Sequence, residues 1–179
     1  MRKRSLILTL CLAAGALPLA ALETEGGIHG SLIFPQNDLH TAVGGRIGFQ
    51  VGVQSGIDFG GGNELRPRID YTRLDGGSFS LTSMSSTTTV QAVGVGVDYL
   101  RYLEEQRRGL YGVAGVSLNW WETHYRFTGN DRETSPSFML GAGQRFNSSW
   151  SMEFNLEWGQ FRPTMGSAGQ IKAGVFYHF

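Results

Sequence analysis

The chain has 179 residues, 41% hydrophobic, 17% charged and 12% aromatic, with 26 glycines, a single cysteine and 15 basic against 15 acidic side chains. That length fits one domain. A zero net charge without a basic stripe excludes the electrostatic footprint of a nucleic-acid binder, and the hydrophobic share is too high for a disordered chain. Glycine is about twice its usual share of roughly 7%, and charge falls short of the roughly 25% usual in soluble domains.

The first segment reads as a leader. Arg2, Lys3 and Arg4 precede an almost wholly apolar or small stretch from Ser5 to Leu22, with Pro18 and Ala20-Ala21 ahead of Glu23. This pattern predicts a secretory signal peptide over residues 1–21, cut after Ala21 or one residue to either side, and a mature domain over 22–179. The apolar core is short for a membrane anchor, which needs about 20 residues. Leu10 stands before Cys11 where a lipoprotein site wants a small residue, so lipidation is not expected. Cleavage removes Arg2, Lys3, Arg4 and Cys11, leaving 12 basic against 15 acidic residues, a mature charge of about −3. The exported domain therefore has no disulfide and no thiol chemistry.

Period-two alternation then recurs eight times, and a strand puts the two alternating sets on opposite faces. Ile28–Phe34 is a weak example. Arg46–Gln54 sets Ile47, Phe49, Val51 and Val53 against Arg46, Gly48, Gln50, Gly52 and Gln54. In Glu64–Leu74, Leu65, Pro67, Ile69 and Tyr71 oppose Glu64, Arg66, Arg68, Asp70 and Thr72, with Pro67 suggesting a bulge or a strand end. Val93, Val95, Val97 and Tyr99 oppose Gly94, Gly96 and Asp98. Leu110–Trp120 and Ser137–Phe146 follow, the latter with Gln144 on its apolar side. Trp150–Phe161 is the clearest: Trp150, Met152, Phe154, Leu156 and Trp158 share one face. The last segment carries Ile171, Ala173, Val175, Tyr177 and Phe179 on one face and Gln170, Lys172, Gly174, Phe176 and His178 on the other.

Short links at 60–63, 104–108 and 147–149 alternate with longer polar ones at 35–44, 75–88, 128–136 and 162–169. That is the rhythm of an up-and-down meander with both termini at the tight-turn end. The expected fold is all-β, an eight-stranded antiparallel up-and-down transmembrane β-barrel. A soluble barrel would point its apolar face inward and a membrane barrel outward. The set opposite the apolar stripe decides for membrane, because it combines glycine with Arg46, Glu64, Arg66, Arg68, Asp70, Asp98, Arg145, Glu153, Glu157 and Lys172. Five cations and five anions suit a crowded lumen in which ions pair, for instance Lys172 with Glu153 or Glu157 and Asp98 with Arg66 or Arg68. Aromatics gather toward the strand ends (Phe34, Tyr71, Tyr99, Trp120, Phe138, Phe146, Trp150, Trp158, Tyr177, Phe179), as interfacial girdles do.

The alternating C-terminal strand ending in Phe179 resembles the terminal signature read by the outer-membrane assembly machinery. With 65–72 (LRPRIDYT), 109–116 (GLYGVAGV) and 141–146 (GAGQRF), it makes the whole mature chain resemble the small eight-stranded outer-membrane β-barrel proteins of Gram-negative bacteria, related to the OmpA transmembrane domain and OmpX. The resemblance implies residence in the cell outer membrane, contact with its lipid and lipopolysaccharide, recognition by the barrel assembly machinery through Ile171, Ala173, Val175, Tyr177 and Phe179, and a stand-alone monomeric barrel without cofactor.

Three classes of function follow. A structural or surface-interaction barrel with a charge-plugged lumen is favoured over a narrow pore, because eight strands enclose little more than their own side chains. The third is an enzyme modifying lipid A, which needs a Ser, a His and an acid converging at the outer rim. His124 and Glu122 share a face near a loop, Ser117 falls on the opposite face, and the His29-Gly30-Ser31 spacing lies toward the tight-turn end, so no catalytic site is expected. By parity, Arg73, Glu122, His124 and Arg126 belong at the outer rim, where arginine reaches lipopolysaccharide phosphates. His29 and His178 face the lumen and His40 a loop, without metal-ligand spacing. Asp38, Asp75 and Asp131 lack a calcium-loop pattern. Gly60-Gly61-Gly62 lacks the Lys and following helix of a phosphate cradle and reads as a turn.

Overall fold

The computed structural model describes residues 23–75, 88–125, 129–161 and 166–179. The expected leader, nearly all of the 75–88 link, Arg126 and residues 162–165 lie outside them. Eight strands follow one another: β1 (Thr24–Gln36), β2 (Gly48–Gly60), β3 (Asn63–Asp75), β4 (Thr88–Tyr102), β5 (Gly109–Tyr125), β6 (Gly129–Arg145), β7 (Trp150–Phe161) and β8 (Gly166–His178). Each pairs antiparallel with its chain neighbours, and β1 pairs with β8 from Gly27↔His178 to Gln36↔Gly169, which closes the sheet into a barrel. Closure leaves no unpaired edge around the ring.

The alternation sorts the faces as expected. Ile28, Leu32, Val51, Val53, Ile69, Val93, Val95, Val97, Val116, Leu140, Phe154 and Val175 are exposed on the outside. Their neighbours one residue along face the lumen and are buried or half-buried. Outer aromatics meet across strands, Phe138 stacked on Trp158 at 5.2 Å and Trp150 tilted against Tyr177 at 4.9 Å between ring centroids. Among the described residues no helix is long and apolar enough to cross a membrane.

The tight turns use local chemistry. Gly60, Gly61 and Gly62 all take positive φ, which non-glycine residues reach only with strain. In the β6–β7 turn the Asn147 side-chain oxygen accepts from the backbone N–H of Ser149 and Trp150 at 2.8 and 2.9 Å.

The structure departs from the sequence reading in four places. The 35–44 link holds helix α1 (Asn37–Val43), which buries Leu39 and Val43, one helical turn apart. After α1 the chain turns through Gly44 and Gly45 at positive φ, so β2 begins at Gly48 and not at Arg46. Residues 129–136 of the expected 128–136 link are instead the start of β6, paired with β5 out to Tyr125↔Gly129, in a stretch whose sequence is polar at both parities. Pro67 neither ends β3 nor bulges it. It pairs with Val97 on β4, while the ladder with β2 is interrupted between Gln54↔Arg68 and Ile57↔Leu65, where proline has no N–H to give. The irregularity in that hairpin lies at Asp58/Gly60.

Candidate functional site

The lumen collects nearly all of the chemistry, in layers. At the tight-turn end, Arg107 leans in from the β4–β5 turn and faces Asp58 at 3.3 Å, Glu64 at 3.4 Å and Glu25 at 3.7 Å, carboxylates of β2, β3 and β1. Arg145 of β6 holds the other oxygen of Glu25 at 2.5 Å. Above them Leu100, Tyr102, Tyr111, Val113 and Met139 form a small apolar cluster on β4, β5 and β6.

The middle layer is a lattice of ions. Arg66 donates to both oxygens of Glu153 on the opposite wall and, through Nε and Nη2, to Asp98 at 3.2 and 3.0 Å. Arg68 also donates to Asp98, at 3.0 Å, and to Asp70, whose other oxygen lies 3.0 Å from Nε2 of His29. Glu153 accepts further bonds from Tyr111 at 2.9 Å and Asn155 at 3.0 Å. Lys172 pairs with Glu157 at 2.5 Å, and Glu157 also accepts from Ser137 and Asn119. Phe176 lies beneath, stacked on His29 at 5.0 Å with the Arg66 guanidinium 4.8 Å from its ring centre. The space left between these groups is a cavity of about 10 Å³, room for one water at most.

Glycine explains how so many long side chains fit. Asp98 lies opposite Gly115, Arg68 opposite Gly96, Asp70 between Gly52 and Gly94, and Glu153 between Gly143 and Gly174. A Cβ on Gly115 would collide with Asp98, and one on Gly52 with Asp70 and His29. Each of these four ions thus rests over a residue without a side chain.

At the loop end the lumen turns apolar again. Leu39 and Val43 of α1 pack on Ile33, Leu74, Val90, Ala92, Trp121 and Ala168, so the helix stoppers the mouth. Asp38 accepts from the Ser167 N–H at 2.8 Å and Asn37 donates to its hydroxyl at 3.3 Å, tying α1 to β8. Sequence reasoning missed this stopper because large apolar lumen residues break the expected small-or-charged pattern.

Of the ten charged residues expected in the lumen, Glu64, Arg66, Arg68, Asp70, Asp98, Arg145, Glu153, Glu157 and Lys172 are buried there. Arg46 is corrected: it is exposed and precedes β2. Arg107 stands in its place as the fifth cation, unreadable in advance because a turn residue has no strand parity. His29 and His178 face inward, His178 within 2.9 Å of the Ser151 hydroxyl.

On the outside, Arg73, Gln91, Glu122 and Arg132 form one row across β3 to β6, just beyond the row Tyr71, Val93, Trp120. Arg73 bonds Asp75 at 3.0 Å, Arg132 bonds Glu122 at 2.9 Å, and His124 lies 3.7 Å from Glu122. Ser117 is buried on the inner face, 2.6 Å from Ser137, so it does not converge with His124 and Glu122. Among the described residues no three His, Cys, Asp or Glu side chains are grouped to hold a metal ion.

A family model described as the outer membrane protein beta-barrel domain matches residues 6–179. The chain belongs to that family. No curated protein matches the sequence. The barrel is similar to the crystal structure of Neisserial surface protein A at 14% identity and a TM-score of 0.59, covering 89% of this chain and 99% of that one. It is similar to Ail, the attachment invasion locus protein of Yersinia pestis, at 13% identity and 0.54, over 87% and 97% of the two chains. The N-terminal β-barrel domain of Pseudomonas aeruginosa OprF matches at 14% identity and 0.52, also over 87% and 97%. At these identities the likeness is one of fold, an eight-stranded outer-membrane barrel of the OmpA and OmpX kind.

Proposed function

We propose that this outer-membrane barrel is a closed, structural membrane element with a surface-interaction role, exported from a Gram-negative cytoplasm by a leader cleaved near Ala21. The observation that carries the reading is the filled lumen: an ion lattice with about 10 Å³ to spare, sealed toward the loops by α1. A hydrated ion has no path through it without breaking several buried ion pairs at once. Neisserial surface protein A and the attachment invasion locus protein carry surface roles in their names, and the long strands β4, β5 and β6 give this barrel a platform for one. The polar row of Arg73, Gln91, Glu122 and Arg132 meets lipopolysaccharide, the apolar belt meets lipid, and the strand ending in Phe179 is read by the assembly machinery. The barrel acts as a monomer.

Purified protein in planar bilayers tests the plug. The expected record is flat, and large stable conductance steps would overturn it. Outer-membrane fractionation with heat-modifiable gel mobility tests location, and a soluble, non-modifiable protein would refute it. For sidedness, Asp131→Cys in intact cells should react with a membrane-impermeant maleimide; absence of labelling would invert the topology.

A further inference from the structure

The socket that α1 fills is built without it. Ile33, Leu74, Val90, Ala92, Trp121 and Ala168 come from β1, β3, β4, β5 and β8 and are fixed by their strand ladders, and the Trp121 indole N–H donates to the Ser135 hydroxyl at 3.1 Å. The helix is held less firmly. Seven residues are too few for a helix to persist by itself, and no side chain caps its N-terminus. Left-handed backbone at Asn37 on one side and at Gly44 and Gly45 on the other gives it a joint at each end. Its attachments are Leu39 and Val43 in the socket and the ties of Asn37 and Asp38 to β8.

The socket is not purely apolar. Gln170 faces inward two residues on from Ala168, between the socket and the Lys172–Glu157 pair, and Thr123 two residues on from Trp121, opposite Val90. They are 4% and 1% exposed, yet among the described residues neither Oε1 of Gln170 nor Oγ1 of Thr123 has a hydrogen-bond partner. A buried polar atom left unbonded costs free energy that a partner recovers, and the hydrocarbon side chains of Leu39 and Val43 offer none.

We propose that α1 is a hinged lid over a binding site for a small neutral amphiphile, an apolar chain about as large as the Leu39 and Val43 side chains together that ends in an N–H or O–H donor. The chain takes the place of those two side chains on the apolar wall, and its head donates to Gln170 or Thr123. An anionic head is refused: Glu157 lies across from Gln170 on β7, Asp38 stands at the lid, and Lys172 is already paired with Glu157. The ligand stops above the ion lattice, so the site opens toward the loops without opening a pore. It thereby adds a ligand to a barrel read above as a closed structural element.

The test titrates the folded barrel in dimyristoyl phosphatidylcholine nanodiscs with octanamide while following the Trp121 indole N–H resonance, assigned with Trp121→Phe. Wild type should show a saturable shift, and proteinase K should begin to cut within residues 37–46 as the site fills. Asn37→Cys with Ala168→Cys locks the lid, because these residues face each other in an isolated bridge, at the Cα spacing a disulfide needs. The oxidised lock should weaken binding at least tenfold and reduction should restore it, with heat-modifiable mobility in both states showing that the barrel is folded. Octanoate, and octanamide on Gln170→Leu with Thr123→Val, should each bind at least tenfold more weakly. No saturable shift in wild type would overturn the proposal, as would the same shift in the oxidised lock, which would mean partition into the bilayer only. Equal binding of octanoate, or undiminished binding by the Gln170→Leu, Thr123→Val protein, would overturn it as well.

Discussion

Arg66 on β3 and Glu153 on β7 meet across the full width of the lumen, with Nη2 2.9 Å from Oε2, Nη1 against Oε1 and both side chains essentially without solvent. In a ring of eight strands β3 and β7 are diametrically opposed, so this pair is a strut between walls that share no backbone ladder. Removing one partner of a buried pair leaves an uncompensated charge, at a cost of about 3–5 kcal/mol. Glu153→Ala should lose about that much in urea titrations followed by the folded gel band, whereas Arg66→Met with Glu153→Leu should recover most of it. A Glu153→Ala barrel as stable as wild type would remove the strut.

Glycine in the lumen and glycine outside should respond differently to the same substitution. A methyl group at Gly115 collides with Asp98, while one at Gly112 enters open space. Gly115→Ala is expected to cost about 1–3 kcal/mol as overpacking, and Gly112→Ala to stay within about 0.5 kcal/mol of wild type. Equal effects would mean that the ion lattice does not depend on its glycine seats.

The outward face can be tested with a charge. Val95 is exposed in the middle of β4, and arginine facing lipid near the midplane costs about 2–4 kcal/mol. Val95→Arg should therefore lower the folded fraction in liposomes, while Arg132→Ala, at the rim, should leave it unchanged. Indifference to Val95→Arg would place that face in water.

The helix that stoppers the mouth should be separable from the barrel. Leu39→Ala removes a fully buried side chain of a seven-residue helix, and a change of that kind costs about 2–5 kcal/mol where the whole core must absorb it. Here α1 alone can loosen, so limited proteolysis should newly cut within residues 37–46 while heat-modifiable mobility persists. If the barrel itself lost that mobility, α1 would be part of the core that holds the strands.

Period two, read locally, was enough to place Val51, Ile69, Val95 and Phe154 outside and Arg66, Asp98, Glu153 and Lys172 inside, because a strand's faces follow from chain parity and need no partner. The same reading explained the unusual glycine content as a crowded inner face. Parity says nothing about distance across a closed ring, so the meeting of Arg66 with Glu153, or of His29 with Asp70, was decided by strand register and closure. Nor does it reach residues outside strands: Arg107 entered the lumen from a turn, Arg46 stayed outside after Gly44 and Gly45 redirected the chain, and α1 stayed hidden until the apolar wall that buries Leu39 and Val43 existed. Strand identity and face belong to the sequence because they arise from neighbours two residues apart; the pairing of lumen charges across the ring belongs to the tertiary structure because those partners lie up to 120 residues apart.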